Sequence, residues 1–239
     1  MGRTKGQVGD LPHYLRQVLT IAAKDLRAEI RTREAVNASL AFMLMILVLF
    51  SFAFDPGNSE VSIPAIAGGL LWIAYAFAAA LALNRSFARE LQNDCLDALL
   101  ASPIPASALF FGKALANFAL LLAMEIVSLG VFSVLYNIRV LAQIWALLLV
   151  IVLGTWAMTV MGTMFSALTV NLRLRELMLP VMLYPFLVVP LSAAITLTSD
   201  LLNGIPLGGD NLLWLKVLAG FDVIFSSLVV ILIDTVLVG

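Results

Sequence analysis

One cysteine, Cys95, and one histidine, His13, are all the chain offers of soft metal ligands. That scarcity excludes a disulfide framework, a cysteine-rich cluster and any histidine-pair zinc motif, so no metal site is expected. Charge is scarce too. Only 12% of the 239 residues are charged, against about a quarter in a soluble domain. A water-facing surface cannot be built from so few, and with 62% hydrophobic residues and a mean hydropathy of +1.04 the main solvent must be lipid. The net charge of −1 argues against a nucleic-acid partner. No G-x-x-x-x-G-K-[ST] occurs. Gly112-Lys113-Ala114 lacks both the upstream glycine and the hydroxyl residue, so the backbone cradle for phosphates is missing and the chain should not bind ATP by itself. No cluster of His, Cys and carboxylates collects at one depth, so a membrane-embedded enzyme is the least expected class. The apolar stretches are continuous, not alternating segments of about ten residues, which excludes a transmembrane β-barrel.

What the sequence does contain is about six stretches long enough for a membrane helix, which takes about 20 mainly apolar residues. They fall at Ala38–Phe54, Ile63–Asn84, Leu109–Tyr136, Leu141–Val170, Leu177–Thr198 and Trp214–Val236. The fold class is therefore all-α, a polytopic membrane protein, with a permease-sized bundle over 38–239 behind an N-terminal segment, 1–37. The first apolar run follows a long polar and basic lead and has no small-residue cleavage site after it, so it should remain as an anchor helix. Of the 14 lysines and arginines, all but Arg139 and Lys216 lie in the N-terminal segment, the second loop with its flank, or the fourth loop. By the positive-inside rule both termini are cytoplasmic. Tyr136 and Trp214 then fall at outer boundaries, where amphipathic rings prefer to sit.

Ahead of the first span, Leu15, Val18, Leu19, Ala22, Leu26 and Ile30 recur at helical spacing, with Arg16, Lys24, Arg27, Glu29 and Arg31 between them. This is an amphipathic helix expected in the inner interface, its bases near anionic headgroups. Between spans two and three the loop reads FARELQNDCLDALLASPIP, Phe87 to Pro105. Phe87, Leu91, Cys95 and Leu99 form an apolar stripe, Glu90, Asp94 and Asp97 an acidic side, and Pro103 and Pro105 stop the helix. A short acidic helix on the ATP side suits protein docking; an interfacial helix that merely joins two spans fits the pattern equally.

The order Phe87, Glu90, Leu96, Asp97, Leu99, Pro103, Pro105 resembles the haem exporter protein B (CcmB) family of cytochrome c maturation, within the membrane subunits of ABC-2-type exporters. The family pattern runs roughly F-x-x-E-x-x-D-G-x-L-E-x-L-x-x-x-P-x-P; this chain has Asn93-Asp94 where Asp-Gly is usual and Asp97 for Glu. A second stretch, Asn171 to Pro190, with Arg173, Arg175, Glu176, Pro180, Pro185 and Pro190, is similar to that family's loop and fifth span. The resemblance implies a permease subunit in the bacterial inner membrane, driven by ATP on a separate soluble ABC ATPase that docks on Phe87, Glu90, Leu91, Asp94, Leu96, Asp97, Leu99, Pro103 and Pro105. It further implies a homodimer of the membrane subunit, small and haem-handling membrane partners, and haem as cargo or as the load of a released carrier. An ABC-2 permease for a lipid, glycan or drug, and a non-transporting scaffold for cytochrome c assembly, are the rival readings. No tight cofactor site is expected on this chain: His13 lies in cytosolic sequence, and Met and Trp in the spans suit packing.

Within the spans, Glu125 sits near the middle of the third and Asp222 about a third of the way into the sixth. A charge at a helix centre costs about 2.5–3.5 kcal/mol on insertion scales, so each should face the bundle interior, as part of a pathway or as an interhelix hydrogen bond. Pro180, Pro185 and Pro190 should kink the fifth span. Ala74, Ala78 and Ala82 make a small-residue face, for internal packing or for dimerisation. The outer stretch Ser199–Asn211 is partly apolar; a short surface loop is the simpler reading, and its apolar content slightly favours a re-entrant turn.

Overall fold

The structure is a computed structural model that describes residues 11–54, 63–87, 104–169, 172 and 174–238. Among the described residues there are seven α-helices and no strand. They are α1 (Leu11–Thr32), α2 (Glu34–Ala53), α3 (Ile63–Leu83), α4 (Ala106–Leu135), α5 (Ile144–Thr169), α6 (Arg175–Leu202) and α7 (Leu212–Val238). Six of them, α2 to α7, are long and apolar enough to cross a membrane. The chain is thus a multi-pass membrane protein whose spans alternate in direction. The end holding the turn before α2, the end of α3 and the start of α4 is called here the basic end.

The first span starts at Glu34, four residues before the hydropathy boundary. Arg33 takes a left-handed conformation (φ 57°) that breaks α1 from α2, and the Glu29 carboxylate accepts a hydrogen bond from the Ala35 amide at 3.0 Å. That bond satisfies one of the donors a helix start leaves open and places negative charge at the positive end of its dipole. Spacing sets Glu29 among the charged residues between the apolar positions of α1. It is buried, because the corner turns it under α2.

Two helices form the inside of the bundle. α5 packs on α3, α4, α6 and α7, and α3 lies between α2, α5 and α6. Close approach is made possible by glycines. A Cβ on Gly154 would land on the indole of Trp72, and one on Gly162 on Leu83. Gly68 would meet the Ile195 carbonyl oxygen at 2.6 Å. Ala74 and Ala78 are fully buried, so the small-residue face of the second span serves packing within the bundle. The Trp72 indole N–H donates to Thr198 Oγ1 at 2.9 Å, which ties α3 to α6.

The far end adds to one expectation and overturns another. Tyr136 stands at the end of α4, at the expected boundary, but it is buried, and its hydroxyl donates to the Leu47 carbonyl at 2.8 Å, joining α4 to α2. Exposed rings at this end are Trp145, 83% exposed, and the expected Trp214, 37% exposed. The stretch after α6 is a surface turn and not re-entrant. Residues 203–206 and 208–210 are exposed, whereas a re-entrant turn must be buried in protein. The Asn211 side chain closes it, accepting from the Gly208 amide at 2.9 Å and donating to the Pro206 carbonyl at 3.2 Å.

α6 remains helical across Pro180, Pro185 and Pro190. Each proline removes one amide donor, leaving the carbonyls of Glu176, Val181 and Phe186 without their usual helix partner.

A methyl at Gly154 should act as overpacking and cost about 1–3 kcal/mol. Gly154→Ala should therefore lower the Tm of the detergent-purified protein, while Gly130→Ala, whose Cβ meets nothing within 4 Å, should not; equal scans for the two would contradict this packing.

Candidate functional site

The residue that organises the basic end is Lys113, in the second turn of α4. Its side chain is 2% exposed and pairs with Asp25 of α1 at 3.2 Å. The same ammonium donates to the Ser86 carbonyl at 2.9 Å and lies 4.9 Å from the centroid of the Phe87 ring. A buried ammonium needs such acceptors, because its desolvation is compensated only by good geometry; the ring face adds a cation–π attraction of about 0.5–2 kcal/mol. One turn further along α4, Asn117 donates to Ser86 Oγ at 2.8 Å and to Thr163 Oγ1 of α5 at 3.1 Å. Arg85 reaches Glu34 at 3.4 Å on the exposed rim.

α1 reaches this position because of Gly112. A Cβ there would lie 2.6 Å from Ile21 Cβ and 3.1 Å from the Val18 carbonyl, so α1 lies directly on α4. Val18, Ile21 and Ala22 are buried in the contact, while Leu11, Leu15, Leu19 and Ile30 stay exposed. The apolar stripe read as one interfacial face is thus divided, one part on protein and one open.

The cluster sits where the chain leaves the bundle into the Phe87–Pro105 loop. Phe87 is fully buried beneath Lys113. Pro105 precedes the first residue of α4, its carbonyl accepting from the Ala108 amide at 2.9 Å. Glu90, Leu91, Asp94, Leu96, Asp97, Leu99 and Pro103 lie outside the described residues.

A second polar group lies deeper. Glu125 is fully buried and its Oε2 meets the Thr155 hydroxyl of α5. Tyr75 of α3 and Ser128 donate to its backbone carbonyl at 3.1 and 2.9 Å. Asp222 is 8% exposed, and neither of its oxygens has a hydrogen-bond partner among the described residues. Glu125 precedes the end of α4 by ten residues, and Asp222 follows the start of α7 by ten. At about 1.5 Å per residue both lie roughly 15 Å from the far end. Thr155, Thr159 and Thr163 line one face of α5 and are all buried, so polar side chains run along α4 and α5 from Asn117 to Glu125. Among the described residues no group of three or more His, Cys, Asp or Glu could hold a metal ion.

Sequence reasoning located Glu125, Asp222 and the two ends of the loop. It missed Asp25, Asn117 and Thr155, and took Lys113 only as a topological charge. A signal was present: Lys113 lies seven residues inside α4, too deep for an ammonium without a partner, and Asp25 is one of two acids on a mainly basic helix.

The Lys113–Asp25 contact should show as coupling in a double-mutant cycle. Lys113→Met and Asp25→Asn should each lower Tm, and the double variant should fall short of their sum by about 1–3 kcal/mol. Strict additivity would mean that the pair contributes nothing.

A profile of the CcmB protein family matches residues 16–235. The chain is 34% identical to heme exporter protein B of Rhodobacter capsulatus over 168 residues, 70% of this chain and 76% of that protein. It is 32% identical to heme exporter protein B of Paracoccus denitrificans over 165 residues, 69% and 74% of the two chains. Heme exporter protein B of Haemophilus influenzae is 30% identical over 195 residues, 80% and 86%. With a family match that runs from the first turns of α1 to the last turn of α7, and relatives at 30% identity or more over most of both chains, this chain belongs to the CcmB family.

Proposed function

We propose that the chain is the membrane subunit of an ABC-type haem exporter that serves cytochrome c maturation. It sits in the inner membrane with both termini in the cytoplasm, which makes the basic end the cytoplasmic end. ATP is bound and hydrolysed on a separate soluble ABC ATPase, consistent with the absence of a phosphate-binding loop in this sequence. The ATPase docks on the Phe87–Pro105 segment through the acidic side formed by Glu90, Asp94 and Asp97. Two copies of the membrane subunit complete the transporter, and haem-handling and small membrane proteins join it. The energy either moves haem or releases a haem-loaded carrier from a partner.

The observation that carries this reading is the anchoring of the loop. Where it begins, the Ser86 carbonyl accepts from Lys113 and the Phe87 ring lies against the same ammonium, which stands about two turns into α4 and holds α1 through Asp25. A force applied to the loop is therefore delivered to α1, α3 and α4 together, and through Asn117 and Thr163 to α5. Packed helices respond to such a force as rigid bodies that shift between discrete arrangements.

Affinity purification of the solubilised complex from native membranes, with proteomics and a haem stain, tests the proposal. A soluble ABC ATPase and cytochrome c maturation proteins should co-purify. A Glu90→Lys/Asp94→Lys/Asp97→Lys variant should retain the fold but lose most of the ATPase from the eluate. An ATPase with unrelated partners would discard the haem assignment, and an undiminished ATPase yield in the variant would remove the loop from the docking surface.

A further inference from the structure

The proposed function leaves Glu125 unused, and the hydrogen count around it is informative. The Thr155 hydroxyl oxygen lies 2.7 Å from the Ile151 carbonyl, four residues back on its own helix. Thr159 and Thr169 make the same bond on the same helix, to Thr155 O and Phe165 O, each at 2.7 Å. A hydroxyl has one proton to give. Thr155 Oγ1 thus stands within reach of two acceptors, Glu125 Oε2 and the Ile151 carbonyl; when its proton goes to Ile151, as the same bond does at Thr159 and Thr169, a hydrogen on the carboxyl completes the contact with Oε2. The other carboxyl oxygen, Oε1, is buried and has no hydrogen-bond partner among the described residues.

Among the described residues, nothing positive faces this carboxyl from the helices packed on α4. α5 contains no titratable side chain. α3 contains only Tyr75, whose hydroxyl donates to the Glu125 backbone carbonyl. α2 contains only Glu34, at the basic end. α7 contributes Asp222, a second acid at similar depth, and Lys216, which is exposed six residues nearer the far end. The charges of α1 belong to the basic end, and Lys113 stands twelve residues along α4, roughly 18 Å away.

A cavity of about 50 Å³ runs beside α4 from Asp25, Lys113 and Asn117 to Leu120 and Met124, the residue next to Glu125. It has room for a few waters, each needing about 10–15 Å³ by this measure.

We propose that Glu125 is a proton-binding site in the middle of the membrane. In this packing it holds its proton against Thr155; when α4 and α5 shift, the carboxyl O–H bond breaks, its electron pair stays on the carboxylate, and the proton passes to water in the cavity. This deepens the reading of the chain as an energy-coupled membrane subunit and rests on it for the shift of α4. The protonated state in the resting packing stands on the geometry alone.

The test is infrared spectroscopy of the lipid-reconstituted protein at neutral pH, with Glu125→Gln as the difference reference. A carbonyl-stretch band of a protonated carboxyl should be present in wild type and in Asp222→Asn, absent in Glu125→Gln, and shifted in Thr155→Val, which removes the contact and serves alone should Glu125→Gln fail to fold. Wild-type spectra lacking any such band overturn the proposal. In cells, Glu125→Gln should accumulate and assemble normally yet reduce holo-cytochrome c by about tenfold or more, because a permanently neutral amide cannot cycle a proton. Full cytochrome yield in Glu125→Gln, with the loop charge reversal still defective, would overturn the cycling step and leave a structural hydrogen bond. Full yield in both variants, with the band intact, would overturn the cycling step and remove the loop from the docking surface, while supporting the resting proton site.

Discussion

A lysine ammonium held 2% exposed between three helices is the interaction on which the arrangement of the basic end depends. Water would solvate it at no cost; inside the bundle it must find acceptors with fixed geometry, and they come from two other elements. Asp25 comes from α1, the Ser86 carbonyl and the Phe87 ring from the exit of α3, and the lysine itself from α4. Removing any one leaves a buried charge incompletely satisfied, so the three elements are held in a single register. The chain leaves the bundle at this cluster, through Ser86 and Phe87.

From that cluster, polarity continues into the membrane along one side of α5. This helix has two working faces. Gly154 and Gly162 let Trp72 and Leu83 of α3 press against one, and Thr155, Thr159 and Thr163 form the other, meeting Glu125 and Asn117 of α4. Between apolar helices in lipid there is little hydrophobic gain on association, so close backbone approach and interhelix hydrogen bonds carry the specificity. α5 uses glycines on one side and hydroxyls on the other. The hydroxyl side joins the deep carboxyl to the basic end.

α1 makes a similar division. Val18, Ile21 and Ala22 are buried on α4 around Gly112, while Leu11, Leu15, Leu19 and Ile30 remain open. Its acids have separate duties: Asp25 pairs with Lys113, and Glu29 caps α2. A helix whose spacing alone suggests a membrane-surface element is therefore also a structural partner of the bundle, and the left-handed Arg33 sets the corner that permits both.

How much of this could be read in advance follows from the range of each interaction. The six spans, the all-α class and the depth of Glu125 and Asp222 are legible because solvation by lipid acts on each segment separately and leaves long apolar runs. The loop motif is legible for the same reason, as a local order of residues, and it carried the family. The partners of Lys113 and Glu125 were not, because Asp25 lies 88 positions from Lys113 and Thr155 lies 30 from Glu125. The burial of Tyr136 likewise depends on Leu47, 89 positions away, and the turn at 203–208 on hydrogen bonds from a single asparagine. Hydropathy along the chain decided which segments leave water. Which buried polar group meets which was decided only when glycines at 112, 154 and 162 let particular helices come close enough for their side chains to exchange a hydrogen bond.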